Sequence, residues 1–173
     1  VPAGVESFLN MATFNIFLLL FQSYGVAAGA AMAIVFNWDM LSFIPLIGLN
    51  ISVMSLIGRF VGRGDMGRVN QVISSGFILA LGYAGVLVTV FLVYRMTLVN
   101  VFRTPGTEFD AIAELAGKMM LGLCTYMLAD AVIMVAGGTL RGAGDTRWVM
   151  LTSITLHWVM VVAQYYVIVV LEL

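Results

Sequence analysis

Apolar runs too long for the core of a soluble domain dominate this chain. A helix crossing the hydrocarbon core of a bilayer needs about 20 largely apolar residues. Five stretches meet that length, at roughly 3–24, 28–57, 69–93, 111–137 and 148–171. Composition agrees: 62% of the 173 residues are hydrophobic and 10% are charged, with a mean hydropathy of +1.06. Soluble domains run at about 45–50% apolar and about 25% charged. The expected fold class is therefore all-α, a polytopic transmembrane helical bundle with five spanning helices. The sequence opens at Val1-Pro2 against one apolar run and ends inside another, with no signal peptide visible, so it is expected to be one lobe of a longer protein. Its net charge of -1 offers no footprint for nucleic acid, and Cys124, the one cysteine, excludes an intrachain disulfide.

The connections carry an orientation signal. Arg59, Arg63 and Arg68 lie around the connection between the second and third runs, and Arg141 and Arg147 around that between the fourth and fifth. The connection between the third and fourth runs holds Arg95 and Arg103, offset by Glu108, Asp110 and Glu114. Lys and Arg concentrate in cytoplasmic loops. The first two connections are expected inside the cell, and the first helix then starts from the cytoplasm. These two connections also resemble each other: Gly62-Arg63-Gly64-Asp65 and Gly142-Ala143-Gly144-Asp145. Glycine permits a tight reversal and aspartate suits the start of the next helix, so recurring turn chemistry explains the likeness.

Ionisable groups inside membrane helices are expensive and are functional-site candidates by default. Asp130 lies about seven residues before the expected inner end of its helix, a depth of about 10 Å at 1.5 Å per residue. A desolvated carboxyl favours a bound proton or a bound cation, and either can exchange with a cationic substrate. Tyr126, four residues earlier, shares its face of the helix. On the first helix Glu6, Asn10 and Thr13 form a polar stripe, with Glu6 near the end and Asn10 deeper. The second helix carries Asn37, Asp39 and Asn50, with Ser42 and Ser52. Asp39 is a second intramembrane acid, unless the neighbouring Trp38 marks an interfacial bend. Pro45 frees a backbone carbonyl one turn earlier, which predicts a kink, either a hinge or a static bend. His157 reads as a packed histidine rather than a proton relay.

Catalysis finds little support. Gly142-Ala143-Gly144-Asp145 matches the G-x-G-D string of intramembrane aspartyl proteases, but that chemistry needs two acids facing each other within the membrane. Here Arg141 and Arg147 flank the acid and place it at the surface. There is no metal-ligand cluster, nucleophilic triad or phosphate loop, and an enzyme is not expected. A channel repeats a ring of side chains through an oligomer; isolated acids on separate helices suit a transporter better.

The run Gly138-Thr139-Leu140-Arg141-Gly142-Ala143-Gly144-Asp145-Thr146-Arg147 resembles the inner loop after the tenth helix of the multidrug and toxic compound extrusion (MATE) family. Tyr126-x-x-x-Asp130-Ala131-Val132, followed by Val135-Ala136-Gly137-Gly138, resembles the tenth helix of its bacterial NorM branch. Pro2, Gly25, Asn37 and the Gly62–Asp65 turn fit helices seven to nine, so the resemblance covers the whole chain. It implies that residues 1–173 form the carboxy-terminal lobe of a twelve-helix transporter, without the twelfth helix. It also implies export of organic cations and other amphipathic compounds in exchange for Na+ or H+. Tyr126 and Asp130 then match residues of a cation site, with Asp130 as the Na+ ligand if sodium couples. The carboxylate expected on the seventh helix is replaced here by Asn10, which can coordinate Na+ but cannot take up a proton, unless Glu6 substitutes. Asn37 and Asp39 are possible polar partners. No cofactor is expected beyond the coupling ion. The expected partners are a small-molecule substrate, membrane lipid and the amino-terminal lobe of the same chain, in the inner (plasma) membrane. Two alternatives stand: a flippase of lipid-linked oligosaccharide, which would need a basic cavity where only Lys118 is available, and a non-transporting scaffold or channel subunit.

Overall fold

The computed structural model describes residues 25–103 and 109–165, with single helical positions at 4, 8, 11, 12 and 15. Everything described is helix or short turn. Helix α1 is Val26–Val61, α2 is Met66–Asn100, α3 is Phe109–Gly142 and α4 is Thr146–Tyr165. The first three are long and apolar enough to cross a membrane. At 34 to 36 residues each they run to about 50 Å, well beyond a hydrocarbon core of about 30 Å. Their ends therefore reach the headgroups, or the helices tilt.

Three spans, not five, stand among the described residues. The expected first span, 3–24, lies outside them apart from the single positions, and α4 is described only as far as Tyr165.

Helix ends depart from the sequence pattern where polarity or glycine suggested a stop. The third predicted helix should end near Val93, yet α2 continues past Arg95 to Asn100 because nothing there breaks a helix. The fourth should end at Gly137, yet α3 continues to Gly142. Its glycines do not end it; they admit a neighbour. A Cβ on Gly138 would stand 2.8 Å from the backbone oxygen of Asn50, and one on Gly142 would stand 2.6 Å from that of Met54. Gly58 faces back, its missing Cβ 3.3 Å from the Gly142 oxygen. Spaced four apart, Gly138 and Gly142 form one small-residue edge against which α1 lies backbone to backbone. Asn50, 9% exposed, locks the contact by donating Nδ2–H to the Met134 carbonyl at 2.6 Å.

These pairings make α1 and α3 parallel, and theirs is the most extensive contact in the bundle. Helix α2 runs antiparallel along both. Gly76, Ala80 and Ala84, again four apart, are its buried approach edge, with Gly76 between Val53 and Val135. Trp38 donates Nε1–H to the Leu98 carbonyl at 3.2 Å and meets Phe102 edge to face. Around it and through Pro45, α1 continues as one helix. Proline leaves the Leu41 carbonyl without its helical donor, and Tyr83 donates to the adjacent carbonyl of Ser42 at 3.0 Å.

The two glycine turns are the same structure twice. Gly64 and Gly144 take φ of 72° and 91°. Asp65 N–H returns to the Phe60 carbonyl at 3.0 Å and Asp145 N–H to that of Leu140 at 2.9 Å; Gly64 and Gly144 bond to Val61 and Arg141. This is the Schellman closure. The aspartate after each glycine then caps the next helix, Asp65 accepting from Arg68 N–H and Asp145 from Trp148 N–H. Helix direction puts both turns at one end of the bundle.

Gly138→Ala should separate α1 from α3 and lower stability by roughly 1–3 kcal/mol, as overpacking does. Gly82→Ala, where no atom lies within 4 Å, is the control and should leave the melting temperature in detergent unchanged or slightly raised.

Candidate functional site

Helices α1 and α3 run parallel and close but staggered, with the last residue of α3, Gly142, beside Met54 and Gly58 rather than beside the end of α1, and that offset brings Asp39 and Asp130 near one level. Asp39 lies about 20 Å from the start of α1, and Asp130 about 18 Å from the end of α3. Asp130 is deeper than the sequence suggested, since α3 runs five residues further than expected. Both side chains are half-buried. They line one small cavity with Ser42, Phe43, Leu46 and Met127; its volume of about 10 Å³ is that of a single water-sized occupant.

Helical spacing delivers the lining. Asp39, Ser42, Phe43 and Leu46 follow the three- and four-residue steps of one face of α1, and Met127 and Asp130 are three apart on α3. Ser42 is 6% exposed and gives its proton to the Trp38 carbonyl at 2.7 Å, so its oxygen keeps its lone pairs. The Tyr126 phenol donates to Asp39. The sequence pairs Tyr126 with Asp130; the structure sets both on the same side of α3, but the hydroxyl crosses to the other helix. No described residue donates a hydrogen bond to Asp130. Its electrostatic neighbour is Asp39, and among the described residues no basic side chain acts on either acid.

Other expected partners lie elsewhere. Asn37 is exposed and donates to the Ala33 carbonyl of its own helix at 2.8 Å. Glu6, Asn10 and the side chain of His157 lie outside the described residues. Asp145 is spent on the α4 cap. Lys118 pairs with Glu114 at 2.7 Å on an exposed face, remote from the cavity. Among the described residues no three His, Cys, Asp or Glu side chains converge as a multidentate metal site requires. Sequence reasoning noted Ser42 and Asn50 without giving either a role. Ser42 was findable from its three-residue step after Asp39; the Asn50 lock was not, because its acceptor is a backbone carbonyl.

A family model described as MatE matches residues 2–166. The chain belongs to the MATE family. Among its relatives are a probable multidrug resistance protein NorM of Pasteurella multocida, 29% identical over 91% of this chain, and another of Thermotoga maritima, also 29% identical over 91%. A multidrug resistance protein MdtK of Yersinia pseudotuberculosis is 25% identical over 92% of the chain. The MATE chain described here spans about a third of the length of these curated relatives. No solved structure matches it at comparable significance.

Removing the phenol proton and the carboxylate should not be additive. A double-mutant cycle of Tyr126→Phe and Asp39→Asn, read as stability in detergent, is expected to give a coupling of roughly 0.6–1.7 kcal/mol, the range of hydrogen bonds between membrane helices.

Proposed function

We propose that this chain is the carboxy-terminal lobe of an inner-membrane antiporter that exports amphipathic organic compounds, organic cations among them, in exchange for Na+ or H+. The observation that carries the proposal is Asp130: a carboxylate at membrane depth, without a hydrogen-bond donor among the described residues, in a MATE chain whose relatives are named multidrug resistance proteins. Such a group is costly when ionised and uncompensated, so it binds a counter-charge or a proton. A cation on Asp130 and a cationic substrate in the same lobe then compete for one negative charge. If each favours a different conformation, binding of one drives release of the other, and alternating access follows from that exclusion. The amino-terminal lobe supplies the opposing wall of the substrate path.

Asp130→Asn in the full-length protein should reduce ion-driven export of an organic cation by tenfold or more, on the order expected for a coupling free energy of 1–3 kcal/mol. Export of ethidium from vesicles under an imposed Na+ or H+ gradient measures it. Undiminished, ion-dependent export would refute the assignment.

The arginine-bearing turns are assigned to the cytoplasmic side. A single cysteine placed at Ala143 in a Cys124→Ala background should react with a membrane-impermeant maleimide in inside-out vesicles and stay unlabelled in intact cells. Labelling of intact cells reverses the orientation.

A further inference from the structure

We infer that Asp39, on α1, is the second carboxylate of the coupling site, and that Asp39 and Asp130 together hold a single monovalent cation or proton. The inference rests on the coupling reading above and assigns the partner that the reading leaves open.

Four observations carry it. First, Asp39 and Asp130 line the same cavity although they belong to different helices, and that cavity has room for one small occupant. Second, the groups around it are oxygens: two carboxylates, the Tyr126 phenol bonded to Asp39, and the buried Ser42 hydroxyl, to whose oxygen no described residue donates. Oxygen donors of this kind suit a hard cation or a proton, and two carboxylates are too few for a divalent cage of protein ligands. Third, among the described residues no basic side chain offers the pair a counter-charge. On α1 and α2 the basic residues Arg59, Arg68 and Arg95 lie toward helix ends, and on α3 Lys118 is paired with Glu114 while Arg141 lies in the last turn. Tyr83 of α2, the nearest titratable group on that helix to be tied to this level, is committed to the Ser42 carbonyl. Fourth, the only hydrogen-bond donor that the described residues offer the pair is the Tyr126 phenol, and it goes to Asp39.

Two ionised carboxylates facing each other within a membrane repel, and one bound positive charge relieves that repulsion at both. With the Tyr126 phenol committed to Asp39, the occupant lies between that carboxylate and Asp130. Loss of the occupant restores two negative charges at one level of the α1–α3 seam, a state that attracts a cationic substrate. Asn10 brings no carboxylate to this exchange; Asp39 does.

The test compares Asp39→Asn, Asp39→Glu and Asp130→Asn in the full-length protein reconstituted in vesicles, with ethidium as transported probe and external Na+ and pH varied separately. Asp39→Asn is expected to raise the Na+ concentration at half-maximal export, or to displace the pH midpoint, by an amount equivalent to tenfold or more, within the usual range of coupling between sites. Asp39→Glu should keep ion-driven export with a displaced midpoint. If Asp39→Asn keeps the parent cation dependence while Asp130→Asn loses it, the coupling reading stands and the role of Asp39 is overturned. If neither variant alters cation dependence, the coupling reading itself is refuted and this inference with it. Should Asp39→Asn fail to elute as a monodisperse folded species, Asp39→Glu decides: a merely structural role leaves its midpoint where the parent has it, and that result overturns the inference.

Discussion

The contact on which the rest of this structure depends is the backbone approach of α1 to α3. Gly138 and Gly142 present no side chain to α1, and their missing Cβ atoms would fall within 2.8 Å of the backbone of Asn50 and Met54. In lipid, no hydrophobic force pulls two apolar helices together, so close van der Waals contact and the occasional interhelical hydrogen bond must do so. Asn50 adds that hydrogen bond at the same level. Everything further along the seam inherits its register. With Asn50 beside Met134, the face of α1 that carries Asp39, Ser42 and Leu46 meets the face of α3 that carries Met127 and Asp130. A slip of one helical turn, about 5.4 Å, would leave both acids facing apolar neighbours.

Charge is distributed to match. Ion pairs sit near the helix ends: Arg68 with Asp65 at 3.2 Å, Arg103 with Asp110 at 2.7 Å, and Lys118 with Glu114 at 2.7 Å, all substantially exposed. Pairs of this exposure contribute little stability, and they keep basic groups at the margins of the bundle. Among the described residues the interior of the seam therefore contains acids and no base. The repeated turn serves the same end in geometry: a glycine in the left-handed region closes one helix, and an aspartate opens the next within a single residue, so α1 and α3 both return at the same end.

Much of this was legible from residue order alone. Long apolar runs fixed helices and class, because a helix in lipid must satisfy its own backbone. The Gly-Asp turns were legible because φ above zero and helix capping each demand particular residues. Asp130 and Tyr126 were legible as one face because helical spacing is local. What was hidden is what tertiary contact decides. Gly137 and Gly138 read as a stop, since glycine disfavours an isolated helix, but the gain from close packing against α1 outweighs a propensity cost of about 1 kcal/mol. Asp39 read as a second intramembrane acid with no partner assigned, and Trp38 beside it left an interfacial bend open; in the bundle Trp38 turns its N–H to α2 and Asp39 lines a cavity with residues of α3. Tyr126 was assigned to the acid on its own helix, since spacing along one helix says nothing about an acceptor across the seam.

Pro45 divides α1 between these two regions. On the Asn50 side, α1 is held to α3 by glycine contacts and a hydrogen bond to a carbonyl, none of which changes with ionisation. On the Asp39 side, the contact is a cavity, a phenol–carboxylate bond and a pair of like charges, all of which do. Between them the Leu41 carbonyl has lost its helical donor to proline, and Tyr83 reaches over from α2 to the next carbonyl. A change of charge at the acid pair thus acts on a segment of α1 joined to the locked segment where its backbone ladder is weakest. Pro45 thus stands at the boundary between contacts that ionisation alters and contacts that it does not.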